Sequence, residues 1–284
     1  MSEKFAVKNE KGETLYHLAY DDRGNRQDPY PVFCVHGVGL TRHTFDILAE
    51  ALVQQNRRVI TVDMVGHGDS DWCDDPMAYY IPNYARDCAQ MISGLGLGAV
   101  DWIGISLGGL IAFRAIVEQK VAVRRLILDD VAPEVPIEIT AFIADLFEGP
   151  YVFKDKEHFL EVRVPRGRTV GPLTEAQRLR LSLYDGKELP DGSWRFAFDQ
   201  KISVRHRADA TAGRVWNDWA LYEQLTCPVL VFRGSNSTVL PLAFAKKMET
   251  TGPKARLVTI EGVEHYPSLS DEHQIEIVQD FLRH

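Results

Sequence analysis

A serine, a histidine and a pair of adjacent aspartates are the residues in this chain best suited to chemistry. Ser106 lies in Gly104-Ile105-Ser106-Leu107-Gly108-Gly109, behind the apolar run Val100 to Ile103 and ahead of a helical pattern. Small residues two places either side of a serine let a strand turn sharply into a helix. The hydroxyl then stands exposed on a strained turn, placed for nucleophilic attack. The N–H of Leu107, at the start of that helix, would face negative charge developing on a bound carbonyl oxygen. Glycine and serine are common, so the weight comes from the strand–turn–helix setting rather than from the spacing.

His265 closes Gly262-Val263-Glu264-His265, after the last apolar run and before a C-terminal helical pattern. An imidazole on such a loop can take the proton of a serine hydroxyl. The chain holds nine histidines, and a surface or structural place is the ordinary expectation for any one of them. His265 stands apart because it comes last, as the order nucleophile, acid, base requires.

The elements that must position these groups follow from periodicity. Apolar runs at Thr14 to Tyr20, Pro31 to Val35, Arg58 to Val62, Val100 to Ile103, Val123 to Leu128, Val229 to Phe232 and Arg256 to Ile260 read as strands. Their continuity suits a parallel sheet buried on both faces. Helical patterns lie between them, at Phe45 to Val53, Tyr84 to Leu95, Leu107 to Val117, Phe244 to Met248 and Gln274 to Leu282. Such alternation implies right-handed βαβ units with helices on both faces.

The rhythm breaks after Leu128 and resumes at Cys227. Residues 133–216 read as an inserted cap over the C-terminal strand ends, where open α/β sheets place their ligands; residues 1–132 and 217–284 form the core domain. Thr174 and Gln177 predict a capping box opening a helix through Leu183, and Asp191-Gly192 predicts a hairpin turn. Phe142, Phe147, Tyr151, Phe153, Phe159, Trp194, Phe196, Phe198, Trp216 and Trp219 are too many aromatics to leave in water. Most are expected in the cap's own core, a few in the pocket.

Composition narrows the function. With 45% apolar and 25% charged residues in 284, the chain reads as a soluble globular enzyme able to bury a core without metal or disulfide staples. A net charge of -8 argues against nucleic acid as the main partner, since phosphate binding needs a basic footprint. Cys34, Cys73, Cys88 and Cys227 lack metal-like spacing, and reduced thiols are expected. Gly37-Val38-Gly39 is no phosphate cradle, so neither cofactor nor metal is implied. The N-terminus lacks an apolar leader and no apolar run reaches membrane-spanning length, which points to a cytoplasmic protein with no membrane partner. The oligomeric state is not legible.

Together, the His36-Gly37-Val38-Gly39 loop, Asp63-Met64-Val65-Gly66-His67-Gly68-Asp69-Ser70, the Ser106 turn, the insertion and the His265 loop resemble the α/β-hydrolase superfamily. The resemblance spans nearly the whole chain and is to the branch of capped serine esterases, lactonases and carbon–carbon bond hydrolases. It implies a mostly parallel eight-stranded sheet flanked by helices, with a mainly helical cap after the sixth strand. It also implies a second oxyanion donor, the N–H of Val38, beside that of Leu107. His36 would brace its loop, and Asp63, His67 and Asp69 would be mainly architectural.

One part of the family pattern is absent. The triad acid usually follows the penultimate strand, but Thr238 occupies that place in Arg233-Gly234-Ser235-Asn236-Ser237-Thr238, and no carboxylate lies between Val229 and Ala245. Three readings stand open. The acid has moved one strand earlier, to Asp130 first or Asp129 second; or Asn236 or Thr238 orients His265 through a neutral hydrogen bond; or the full triad has been lost. The acid matters because it fixes the imidazole tautomer and stabilises the imidazolium. The expected activity is hydrolysis of a small, partly apolar carboxylic ester, with Ser106, His265 and Asp130 as catalytic residues. A lactonase, a carbon–carbon bond hydrolase and a slow ligand-sensing homologue are the alternatives.

Overall fold

The computed structural model describes residues 2–147, 151–166 and 170–283. Its centre is an eight-stranded sheet: β1 (Glu3–Lys8), β2 (Thr14–Gly24), β3 (Val32–Val35), β4 (Arg58–Val62), β5 (Val100–Ile105), β6 (Val123–Asp129), β7 (Val229–Gly234) and β8 (Arg256–Ile260). The spatial order is β1-β2-β4-β3-β5-β6-β7-β8. The β1–β2 and β2–β4 pairings are antiparallel, and every pairing beyond them is parallel. All seven expected strands are present. β1 was not anticipated; it is a largely exposed edge strand with a mixed sequence.

β3 and β5 are buried along their whole length, which is why they read as unbroken apolar runs. Helices α1 (Asp46–Gln54), α2 (Ile81–Gly94) and α3 (Leu107–Val117) are joined in covering the sheet by α8 (Trp219–Tyr222), α9 (Leu242–Thr250) and α10 (Glu272–Arg283). One face packs Trp102 against Phe33, with ring centroids 5.1 Å apart. The other gathers Phe45, Leu48, Ile103, Phe232, Val278 and Leu282. Cys34 is buried in the sheet as a small hydrophobe.

The chain leaves the sheet after β6 to build a cap containing α4 (Ile137–Leu146), α5 (Lys156–Arg166), α6 (Glu175–Tyr184) and α7 (Ile202–Thr211). Thr174 and Gln177 form the expected capping box at the start of α6. Asp191-Gly192 turns the chain between the paired segments Gly186–Glu188 and Trp194–Phe196, with Gly192 at φ 83°. Phe147, Phe153, Phe159, Phe196 and Phe198 form a continuous buried aromatic cluster. One aromatic departs from expectation. Trp219 packs edge-on against Tyr222 and Phe244 in the helical layer of the sheet domain. Phe142, 59% exposed, is among the few that line the cavity beneath the cap.

Hydrogen bonds beside the candidate site help fasten the cap on two sides. On one side Gly68 N donates to Ala197 O at 2.6 Å and Asp199 N to Gly66 O at 2.8 Å, so the Asp63–Ser70 segment is a docking edge. On the other, Gly171 N donates to Tyr266 O at 3.2 Å, beside His265, and Gln274 Nε2 returns to Gly171 O at 3.5 Å. Among the described residues, no helix is long and apolar enough to cross a membrane.

Candidate active site

Ser106 occupies a single-residue turn between β5 and α3, with φ 48° and ψ -110°. A non-glycine residue rarely takes a positive φ, and such strain collects where a side chain must be presented. Close packing holds the turn. A Cβ on Gly108 would lie 2.0 Å from the carbonyl oxygen of Val35, and one on Gly104 would lie 2.5 Å from Gly108 C. Ser106 N donates to Asp129 O at 3.0 Å, pinning the turn to β6.

The His36–Gly39 loop runs alongside: a Cβ on Gly37 would sit 3.4 Å from Ser106 Cβ. His36 is fully buried, with Nε2 accepting from Met64 N at 3.0 Å and Nδ1 bonded to Gly37 O at 2.7 Å. Burial depresses its pKa, which suits this neutral bracing tautomer. His67 is held well below its ordinary pKa in the same way, and its Nε2 accepts from Gly39 N at 3.1 Å. Asp63 takes the backbone N of Arg42, its guanidinium and the N–H of Asp69. These residues brace the loop on which Val38 rides.

Val38 and Leu107 line the same cavity as Ser106, and neither N–H has a backbone acceptor among the described residues. The Leu107 amide also sits at the positive end of the α3 dipole. That cavity, of about 1170 Å³, is walled by the cap and lined by His265, Asn236 and Thr238 as well.

His265 Nδ1 is 2.6 Å from Asp130 Oδ2. Asp130 follows β6 directly, fully buried and at φ 53°, a left-handed conformation that aspartate tolerates better than most residues. Three donors meet its carboxylate. Besides His265, Ser237 Oγ donates to Oδ2 at 2.5 Å and Gly234 N to Oδ1 at 3.0 Å. A buried carboxylate is stable only when so satisfied, each charged hydrogen bond contributing about 1.5–3 kcal/mol. Asn236 and Thr238 do not partner the ring.

Asp129 faces elsewhere. Its Oδ2 accepts from Ser268 N at 3.2 Å, and its Oδ1 has no partner among the described residues. Burial, and then the charge of Asp130, push its pKa well above the carboxylate range. Ser237 and Gly234 were not anticipated as partners of Asp130. Their signal was faint: Ser237 merely neighbours the position where an acid was missing. Its loop is shaped by Arg233, whose Nε donates to Leu240 O at 2.9 Å.

One further cluster brings together possible metal donors, Asp21, His43 and Asp46. Arg23 already bonds both carboxylates, and Arg42 bonds Asp21, so their charge is spent on guanidinium groups.

The family profile for the alpha/beta hydrolase fold matches residues 30–272. The chain belongs to that family. As an alpha/beta hydrolase it is an enzyme of that fold, and its relatives span several activities. It is 31% identical over 274 residues to the 3-hydroxybutyrate-oligomer hydrolase of Cupriavidus necator, covering 94% of this chain and 93% of that protein. It is 27% identical over 252 residues to the 2-(acetamidomethylene)succinate hydrolase of Mesorhizobium japonicum, covering 87% and 86%. An alpha/beta hydrolase from Novosphingobium aromaticivorans superposes with a TM-score of 0.83 at 27% identity, covering 99% of this hydrolase and 98% of the other chain.

Proposed function

We propose that this hydrolase is a serine esterase that cleaves a small, partly apolar carboxylic ester through an acyl-enzyme. The observation that carries the reading is the 2.6 Å bond between the buried Asp130 and His265, whose ring lines the same cavity as Ser106. Asp130 accepts from Nδ1, which leaves Nε2 as the base. Ser106 Oγ attacks the ester carbonyl while its proton passes to His265 Nε2. The N–H groups of Val38 and Leu107 hold the resulting oxyanion. The imidazolium then returns the proton to the departing alcohol, and a water activated by the same nitrogen releases the acid.

Residues 133–216 serve in this reading as the lid that shapes the pocket. Its volume exceeds the range of about 300–1,000 Å³ usual for small ligands, which favours an ester longer than a simple acetate. The hydroxybutyrate-oligomer hydrolase relative makes short hydroxyacyl oligoesters the first substrates to assay. A carboxylate on His265 supports turnover over the slow, sensing alternative. The test is a fluorophosphonate probe followed by peptide mass spectrometry. Modification of Ser106 in the folded protein, lost in Ser106→Ala, is expected; folded protein that stays unmodified at Ser106 refutes the proposal.

A further inference from the structure

We propose that Arg205 forms a carboxylate subsite in the cap cavity, so that the preferred ester carries a free acid group. The inference rests on the esterase reading for its substrate and on the cavity's own charges for its place. Much of the cavity lining is apolar, with Leu107, Leu110, Val131 and Ile139 among it. Charged donors left without a partner in such a wall have few roles besides recognising an acceptor on a ligand.

The charged residues of the lining differ in what they have left to offer. Glu138, Asp145 and Glu264 are exposed and already solvated. Glu134 accepts from Asn217 Nδ2 and Trp219 Nε1. Burial lowers the His206 pKa to about 4, so that ring is neutral at pH 7. Arg163 spends both Nε and Nη2 on Asp185. Arg214 is 61% exposed and paired with Asp209 at 3.5 Å.

Among the described charged residues of the lining, Arg205 is sheltered and, although paired with Asp209 through Nε, keeps donors to offer. Its Nε donates to Asp209 Oδ2, one turn along α7, at 2.7 Å. Its guanidinium carbon lies 4.6 Å from the centre of the Tyr80 ring, and Trp216 meets the same ring edge-on. The ion pair and the aromatic face fix the plane of the group. Both Nη atoms are left without a protein partner among the described residues. A guanidinium held by its base presents a flat pair of donors that matches the two oxygens of a carboxylate. A lysine at this place would supply charge without that fork.

The experiment compares the 3-hydroxybutyrate dimer as free acid and as its methyl ester, following cleavage of the internal ester by chromatography. Wild type is expected to favour the free acid by about tenfold in kcat/KM, the scale of one charged hydrogen-bond pair. Arg205→Gln should bring the ratio close to unity by raising KM for the acid, with methyl-ester turnover unchanged, and Arg205→Lys should recover part of the preference. No preference in wild type, or one that survives Arg205→Gln in folded protein, overturns the subsite. Should neither dimer be cleaved, the esterase reading fails on its own account, and calorimetric titration with sodium 3-hydroxybutyrate decides the subsite. Heat lost in Arg205→Gln then supports it, and no heat in wild type overturns it.

Discussion

Asp130→Asn exchanges one carboxylate oxygen for an NH2 group and leaves the shape of the side chain intact. The consequences follow from the three donors that meet Asp130: His265 Nδ1 and Ser237 Oγ at Oδ2, and Gly234 N at Oδ1. If the amide NH2 takes the Oδ2 place, His265 must offer a lone pair at Nδ1. Its proton then moves to Nε2, where it blocks transfer from Ser106. If the amide oxygen stays there instead, the NH2 opposes the Gly234 N–H in a buried site, costing about 1–3 kcal/mol. Either orientation removes the charge that stabilises the imidazolium. The corresponding change in a serine protease costs ~10⁴ in turnover, or about 5 kcal/mol at 1.36 kcal/mol per decade. Because His265 is 29% exposed, water offsets part of that loss, and a fall of roughly 10³–10⁴ in kcat with KM little changed is expected. Steady-state hydrolysis of p-nitrophenyl butyrate near neutral pH measures it, with thermal unfolding to show the variant is folded. Turnover comparable to wild type in folded Asp130→Asn would remove Asp130 from the mechanism.

Ser237→Ala keeps the carboxylate but deletes one of its donors, so kcat should drop by only about tenfold in the same assay; a loss as deep as that of Asp130→Asn would mean Ser237 acts otherwise. Asp129→Asn should leave activity largely intact and alter stability with a definite sign. The folded pKa of Asp129 is raised, so its contribution is full below the unfolded value of about 3.9 and is lost as pH rises through the folded value. The neutral variant escapes that loss, and its melting temperature relative to wild type should climb from acid toward alkaline pH. A difference that stays flat across that range would contradict a buried, proton-holding Asp129.

Where chemistry and packing demanded the same residues, the sequence was easy to read. β5 and its turn stood out because burial on both faces enforces an apolar run and the Val35–Gly108 approach enforces glycine. β1 escaped notice because an edge strand needs little apolar surface: Val7 is its one fully enclosed residue, and backbone pairing with β2 supplies the rest. The acid posed a different difficulty. Asp129 and Asp130 are chemically identical neighbours, and only the left-handed turn at Asp130 aims one of them at His265 and the other at the Ser268 amide. No local pattern encodes that choice, because it depends on β7 and the loops beyond it. The same holds for Ser237, whose hydroxyl acquires meaning only once β6 and β7 lie side by side.

In the proposed mechanism, an acid at the tip of β6 also changes what evolution can do with this scaffold. When a loop bears a triad member, its length and composition are constrained. Here the side chain after β7 that bonds Asp130 is Ser237, while Asn236, Thr238 and Val239 line the cavity. On the proposed mechanism those three side chains are open to variation, and a library randomised there would retune which alcohols leave while His265 and Asp130 keep their bond.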